Sequence, residues 1–244
     1  MFNLISSCSF SYPKNTNRVN EDSVLYPIKI GNGYLFAIAD GVGSYQGADK
    51  ASKAVINSLQ QAFEVNIKNI DELFKLLKDK VSEISLDPQL VKAATTLTFG
   101  YFDHLGLTIG HIGDCRLYTK YGNKLKQLTT DHTQHQKLLE EKIYTKKELK
   151  EIGGKNILTT AISKHVDMLF DKVFIPISDL PIDNNKLLLF IMSDGTHFFW
   201  EKNPRFSEKT MNSAIKFTNS LLRRIERNNP IDDYSLVAVE FQIN

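Results

Sequence analysis

Residues 35–52 read LFAIADGVGSYQGADKAS. An apolar run of strand length stops on Asp40-Gly41, and a segment rich in small residues follows with helical spacing. A second run, LLLFIMSDG at 187–195, ends in the same way on Asp194-Gly195. A buried strand has no reason of its own to end on a charge. Such an acid is either a turn former or helix cap, or one wall of a site built at the sheet edge.

The same placement recurs elsewhere. Asp114 follows LTIGHIG, Glu21-Asp22 precede SVLYPI, and Asp232-Asp233 precede YSLVAVEF. Five acidic positions at strand boundaries favour a shared site over five separate turns. Carboxylates converging there would repel and raise one another's pKa. Hard divalent cations answer that repulsion, and oxygen-only ligation suits magnesium or manganese. Glycine after Asp40 and Asp194 is expected to permit an unusual backbone angle and to leave a carbonyl free for a ligand.

The chain around these acids is ordinary. It has 244 residues, 42% hydrophobic and 24% charged, with a net charge of +2. Its length suffices for a large core. Its charge points to neither nucleic acid nor anionic membrane. Cys8 and Cys115 stand apart from each other and from any zinc-type spacing, as expected of free thiols in a reducing compartment. The N-terminal MFNLISSCSFSYPKN lacks the features of a signal peptide, and no run is long enough to span a bilayer. The expectation is a cytoplasmic protein with no membrane and no nucleic-acid partner.

Strand-like runs cover 4–10, 23–30, 34–39, 96–102, 107–112, 116–121, 186–192 and 234–243. Helical periodicity covers 47–63, 71–84, 133–141 and 212–227, with a second short helix near 146–152. The order predicts an α+β fold with helices gathered on sheet faces, not a doubly wound one. Residues 134–155 are polar, charge-rich and closed by Gly153-Gly154, and read as a surface insertion.

These segments, in order, resemble the protein phosphatase 2C family of metal-dependent serine/threonine phosphatases, most closely its bacterial branch. The resemblance rests on NRVNEDS at 17–23, ADGVGSYQGADKAS at 39–52, ATTLTFGYF at 94–102 and IGHIGDCRLY at 109–118. It continues through KLKQLTTDHT at 124–133, NILTTAI at 156–162, IMSDGTHFF at 191–199 and DDYSLVAVE at 232–240. Each motif alone is weak; the ordered set is specific.

The resemblance implies one catalytic domain over 1–244, with a flap at about 134–155. It implies a four-layer α-β-β-α sandwich, two antiparallel sheets flanked by helix pairs. Two manganese or magnesium ions would sit at one end, with a third, weaker site. Asp40 would bridge both metals, and Asp194 and Asp232 would complete the first. The Gly41 carbonyl would bind the second, with Glu21 reaching it through water. Asp114 would hold the third beside Asp194, and Asp22 would orient the water network. Metal-activated water would hydrolyse phosphoserine or phosphothreonine in a protein substrate, opposing a serine/threonine kinase, with the enzyme a monomer. A regulatory phosphoprotein-binding module of the same fold is the alternative.

Four positions depart from the family. Its phosphate-binding Arg falls here on Asn17, with Arg18 one residue late and Lys14 a second candidate. Val42 stands where animal members carry a His; bacterial members often have an apolar residue there, in keeping with the bacterial branch. Ser44 replaces a Gly, and Asp233 stands where Asn is usual, there either to strengthen metal binding or to cap the turn. His111, His132 and His197 read as structural. The SDGT at 193–196 also suggests haloacid-dehalogenase phosphatases, but Met192 occupies the place of their nucleophilic Asp.

Overall fold

Both long apolar runs are strands without a solvent face. Leu35, Ala37 and Ala39 point to one hydrophobic layer and Phe36 and Ile38 to another, and all five are fully buried. Leu187, Leu189 and Ile191 alternate in the same way with Leu188, Phe190 and Met192. Antiparallel strands commonly show a polar residue at every second position because one face is wet. These lack that alternation because each sheet has a second sheet on one side and helices on the other.

The computed structural model describes residues 2–43, 46–145, 147–154 and 156–244. The first half runs β1 (Phe2–Tyr12), β2 (Ser23–Ile30), β3 (Gly33–Ala39), α1 (Ala48–Gln60), α2 (Glu64–Lys68), α3 (Ile70–Ile84), β4 (Ala94–Thr95), β5 (Leu97–Phe102), β6 (Gly106–Ile112) and β7 (Arg116–Tyr121). The second half runs β8 (Lys124–Gln127), α4 (Gln134–Glu140), β9 (Ile162–Ser163), β10 (Asp171–Pro176), β11 (Lys186–Met192), α5 (Asp194–Lys202), α6 (Glu208–Met211), α7 (Ala214–Arg227) and β12 (Tyr234–Ile243). One antiparallel sheet has the order β1-β12-β11-β7-β8, the other β10-β6-β5-β3-β2. A two-stranded ribbon, β4-β9, lies apart from both.

Three apolar layers hold this together. Val55 and Leu59 of α1 and Phe74 and Leu77 of α3 pack with Leu35, Phe99 and Tyr101 of the second sheet. Trp200 of α5 and Phe217, Leu221 and Ile225 of α7 pack with Phe190 and Leu236 of the first sheet. Between the sheets lie Phe36, Ile38, Ile109, Leu117, Leu189 and Val237. The architecture is α+β, in four layers, as the resemblance implied.

Several elements differ from their sequence reading. The run expected at 96–102 joins the sheet only from Leu97, and Ala94–Thr95, just before it, pairs with β9 instead. The expected second helix near 146–152 is a single 3-10 turn at Glu148–Glu151. The edge strand β10 is not among the expected strands; it alternates half-buried and exposed residues, and its apolar run Val173-Phe174-Ile175 is short and followed by Pro176. Helix α5 follows Met192 at once, and its DGTHFFWEK sequence lacks a clean polar face. Among the described residues no helix is long and apolar enough to cross a membrane.

Candidate metal centre

The acids gather because the ends of β3, β6 and β11 and the starts of β2 and β12 meet at one end of the sandwich. A cleft of about 250 Å3 opens there. Glu21, Asp40, Gly41, Asp114, Asp194, Asp232 and Asp233 line it, together with Val42, Gly43, Thr96, Asn156 and Leu158. Asp22 lies just behind, 5% exposed.

Local chemistry fixes Asp40 from both sides. Its backbone N–H donates to Thr96 Oγ1 at 3.1 Å. Its carbonyl accepts from Thr96 N at 2.7 Å and from Thr95 Oγ1 at 2.9 Å. The two threonines thus leave the sheet at the point where they can clamp the acid. On the other flank, Ser52 of α1 donates to the Glu21 carbonyl at 2.6 Å, and Gly41 N–H donates to the same oxygen at 3.1 Å. Gly47, with φ of 87°, makes the left-handed turn that aims α1 at this contact.

Glycine after each acid has a different cause from the one expected. Neither Gly41 nor Gly195 needs a positive φ among the backbone angles of the chain. A Cβ on Gly41 would stand 2.7 Å from the Ala48 carbonyl and 2.8 Å from the Glu21 carbonyl. A Cβ on Gly195 would collide with the Asp233 carbonyl. The glycines let acid-bearing segments touch backbone to backbone.

The electrostatics are those of acids crowded out of water. Burial raises the Asp40 carboxyl well above its usual range, and Asp22, Asp194, Asp114 and Asp232 raise it further. Burial, then Asp194 and Asp131, lift Asp114 likewise. Asp22 is pushed up to about 7, by burial first and by Asp194, against the Ser235 and Ser193 hydroxyls that lower it. Those hydroxyls are also engaged elsewhere, Ser235 with Ser11 and Ser193 with Ser235 N–H, and neither Asp22 oxygen completes a hydrogen bond of good geometry. Burial raises Glu21, opposed by Arg18.

This donor set fits hard divalent cations. It offers carboxylate and carbonyl oxygens and crowded acids with raised pKa values, and Asp22 keeps two buried oxygens without partners. Among the described residues no three acidic, histidine or cysteine side chains are drawn together closely enough to hold a metal ion by themselves. Asp40, Asp194 and Asp232 share the wall of an open cleft.

The remaining expected residues fall as follows. Arg18 lies on the loop between β1 and β2, and a one-residue shift turns a side chain to the opposite face only on a strand. Its guanidinium pairs with Glu21 at 3.2 Å, beside Gly43 at the cleft. Asp233 settles the choice between metal binding and turn capping: its two oxygens accept from Lys14 N–H and Glu21 N–H, each at 2.7 Å. It pins both ends of the loop that carries Arg18. Ser44 lies outside the described residues. His111 bonds to Thr98 and Thr130, His132 to Gly113 and Asp171, and His197 to the Asp114 carbonyl. Burial pushes the Cys115 thiol well up, away from a nucleophile's state. Sequence reasoning did not place Asn156 and Leu158 in the cleft, or give Thr95 and Thr96 a task there. The motifs containing them were visible, but their approach to Asp40 depends on the ribbon.

A family model described as Protein phosphatase 2C matches residues 14–233. A serine/threonine protein phosphatase, PstP, of Mycobacterium tuberculosis is 28% identical over 152 residues, 60% of this chain. The match spans only 29% of that protein's length. Protein phosphatase PhpP of Streptococcus pneumoniae is 24% identical over 219 residues, 85% of this chain and 87% of its own. A putative protein phosphatase of Mycoplasma genitalium is 27% identical over 227 residues, 86% of each chain. The crystal structure of the serine/threonine phosphatase Stp1 from Staphylococcus aureus superposes with a TM-score of 0.81 at 18% identity, covering 99% of this chain and 96% of that one. The catalytic domain of PstP in complex with two manganese ions superposes at 0.72 and 22% identity over all of both chains.

Proposed function

As this chain belongs to the protein phosphatase 2C family, we propose that its acid-lined cleft hydrolyses phosphoserine and phosphothreonine in proteins with the help of two manganese or magnesium ions. The observation that carries this reading is the meeting of Glu21, Asp40, Asp114, Asp194 and Asp232, drawn from five separate segments, in one cleft. When bound, the cations supply Lewis acidity that neutralises phosphoryl charge and lowers the pKa of water.

The residues divide the remaining work. Asp40, Asp194 and Asp232 would hold one cation, and Asp40 and the Gly41 carbonyl the other, with Glu21 acting on it through water. Asp114, beside Asp194, serves a third and weaker one. Asp22 is buried with two unpartnered oxygens and would orient water by accepting hydrogen bonds from it. Arg18, at the mouth, turns from Glu21 to the substrate phosphate. Residues 134–155 act as a flap on a single catalytic domain. The enzyme works as a monomer in the cytoplasm against a serine/threonine kinase, in keeping with two free cysteines.

The test is aryl phosphate and phosphothreonine-peptide hydrolysis against manganese concentration, run on wild type and Asp194→Asn together. Wild type should saturate with metal, fall silent in EDTA and resist vanadate. Asp194→Asn should lose on the order of 10²-fold or more while still folded. Undiminished turnover in EDTA or in the variant rejects the mechanism.

A further inference from the structure

A second, larger hollow of about 560 Å3 adjoins the acidic cleft. Val42, Asn156 and Leu158 line both, so the two are continuous. Their linings differ in kind. Among the described residues, six acids line the cleft, whereas the groove is lined by no acid and by one lysine, Lys92, and one histidine, His165. Small buried side chains of the ribbon and its approach, Ala94, Ala161 and Ser163, make its floor. Ile157, Leu158 and Val166 contribute apolar walls, with Ile157 and Val166 largely exposed.

Size separates the two hollows further. The cleft, at about 250 Å3, has less than half the groove's volume. The groove's volume falls within the roughly 300–1,000 Å3 of ordinary ligand sites. Its lack of acids spares an anionic phosphopeptide the repulsion that the cleft alone would impose. Ile157 and Thr159 also line a further hollow, bordered by Gln134, Lys137, Leu138 and Glu141 of helix α4 and its C-terminal end.

We propose that this groove binds the substrate peptide beside the phosphorylated residue and selects an apolar side chain there. The inference rests on the phosphatase reading above and adds a preference that the metal chemistry alone does not impose. The floor leaves room for a branched side chain because Ala94 and Ala161 present only methyl groups. Selectivity therefore resides in the ribbon β4-β9 and the segment leading into it, while residues 134–155 govern access.

The experiment compares phosphothreonine peptides that carry leucine or serine at the positions flanking the phosphoresidue, with an aryl phosphate as internal reference. The wild type should favour leucine peptides in kcat/KM by roughly tenfold or more. Ala161→Phe fills the floor, and Val166→Glu places a charge on the exposed wall without touching the core. Each should erase the leucine preference and lower the ratio of peptide to aryl phosphate turnover. If Ala161→Phe fails to fold, Val166→Glu decides. Equal turnover of leucine and serine peptides by wild type, or a preference intact in Val166→Glu, overturns the proposal and leaves the groove to an occupant other than substrate. A wild type inactive on aryl phosphate with manganese present would reject the phosphatase reading itself.

Discussion

Backbone N–H groups take both carboxylate oxygens of Asp233, whereas those of the neighbouring buried acid Asp22 have none. That difference assigns their roles at the scale of single residues. Asp233 is a clamp, and its negative charge is matched by two donors 2.7 Å away. An asparagine there can accept on one arm only, and its amide would face an N–H with another N–H. Asp233→Asn should therefore cost about 1–3 kcal/mol. The Lys14 and Glu21 amides should exchange hydrogen faster than in wild type, and urea denaturation should give the loss. Unchanged exchange at those two amides would show that the loop is held by something else.

At the scale of elements, the site depends on crossings that only glycine permits. Helix α5 begins at Asp194, and its second residue, Gly195, meets the backbone that leads into β12. Gly195→Ala should push these elements apart and separate Asp194 from Asp232. Metal affinity, read by calorimetry, should fall even where circular dichroism keeps the wild-type spectrum. The helix layers carry stability instead. Phe217 of α7 is fully buried against Phe190, with ring centroids 4.5 Å apart. Phe217→Ala should cost about 3–5 kcal/mol in urea denaturation while leaving the metal concentration for half-maximal activity in place.

Across the whole molecule, function and stability pull against each other. Asp22, Asp40 and Asp114 bind protons more tightly in the fold than in the unfolded chain. In chelator, their contribution to stability therefore declines as pH rises from about 4 through the value of about 7 at Asp22. His111 acts in the opposite sense: burial lowers it to about 3, so its contribution is lost as pH falls below its ordinary range. At pH 8 in EDTA, Asp40→Asn should melt higher than wild type because one crowded carboxylate is gone. Added manganese at about 100 times its Kd should stabilise wild type by about 2.7 kcal/mol and the variant by far less. A lower melting temperature for the metal-free variant would contradict the repulsion argument.

The strands of both sheets were legible where apolar runs are continuous, because a strand covered on both faces has no polar positions to interrupt it. Leu35–Ala39 and Leu187–Met192 are such runs. The acids were legible for the complementary reason that a charge directly after such a run stands out. The sequence by itself determined the α+β order, the position of each acid at a strand boundary and the family. Tertiary structure alone decided that Gly41 and Gly195 serve backbone crossings and that Asp233 is a clamp. It alone placed Asn156 and Leu158 in the cleft and a larger groove beside it. Those features arise between segments far apart in the chain, where hydrogen bonds and steric contacts leave no local period or spacing to read.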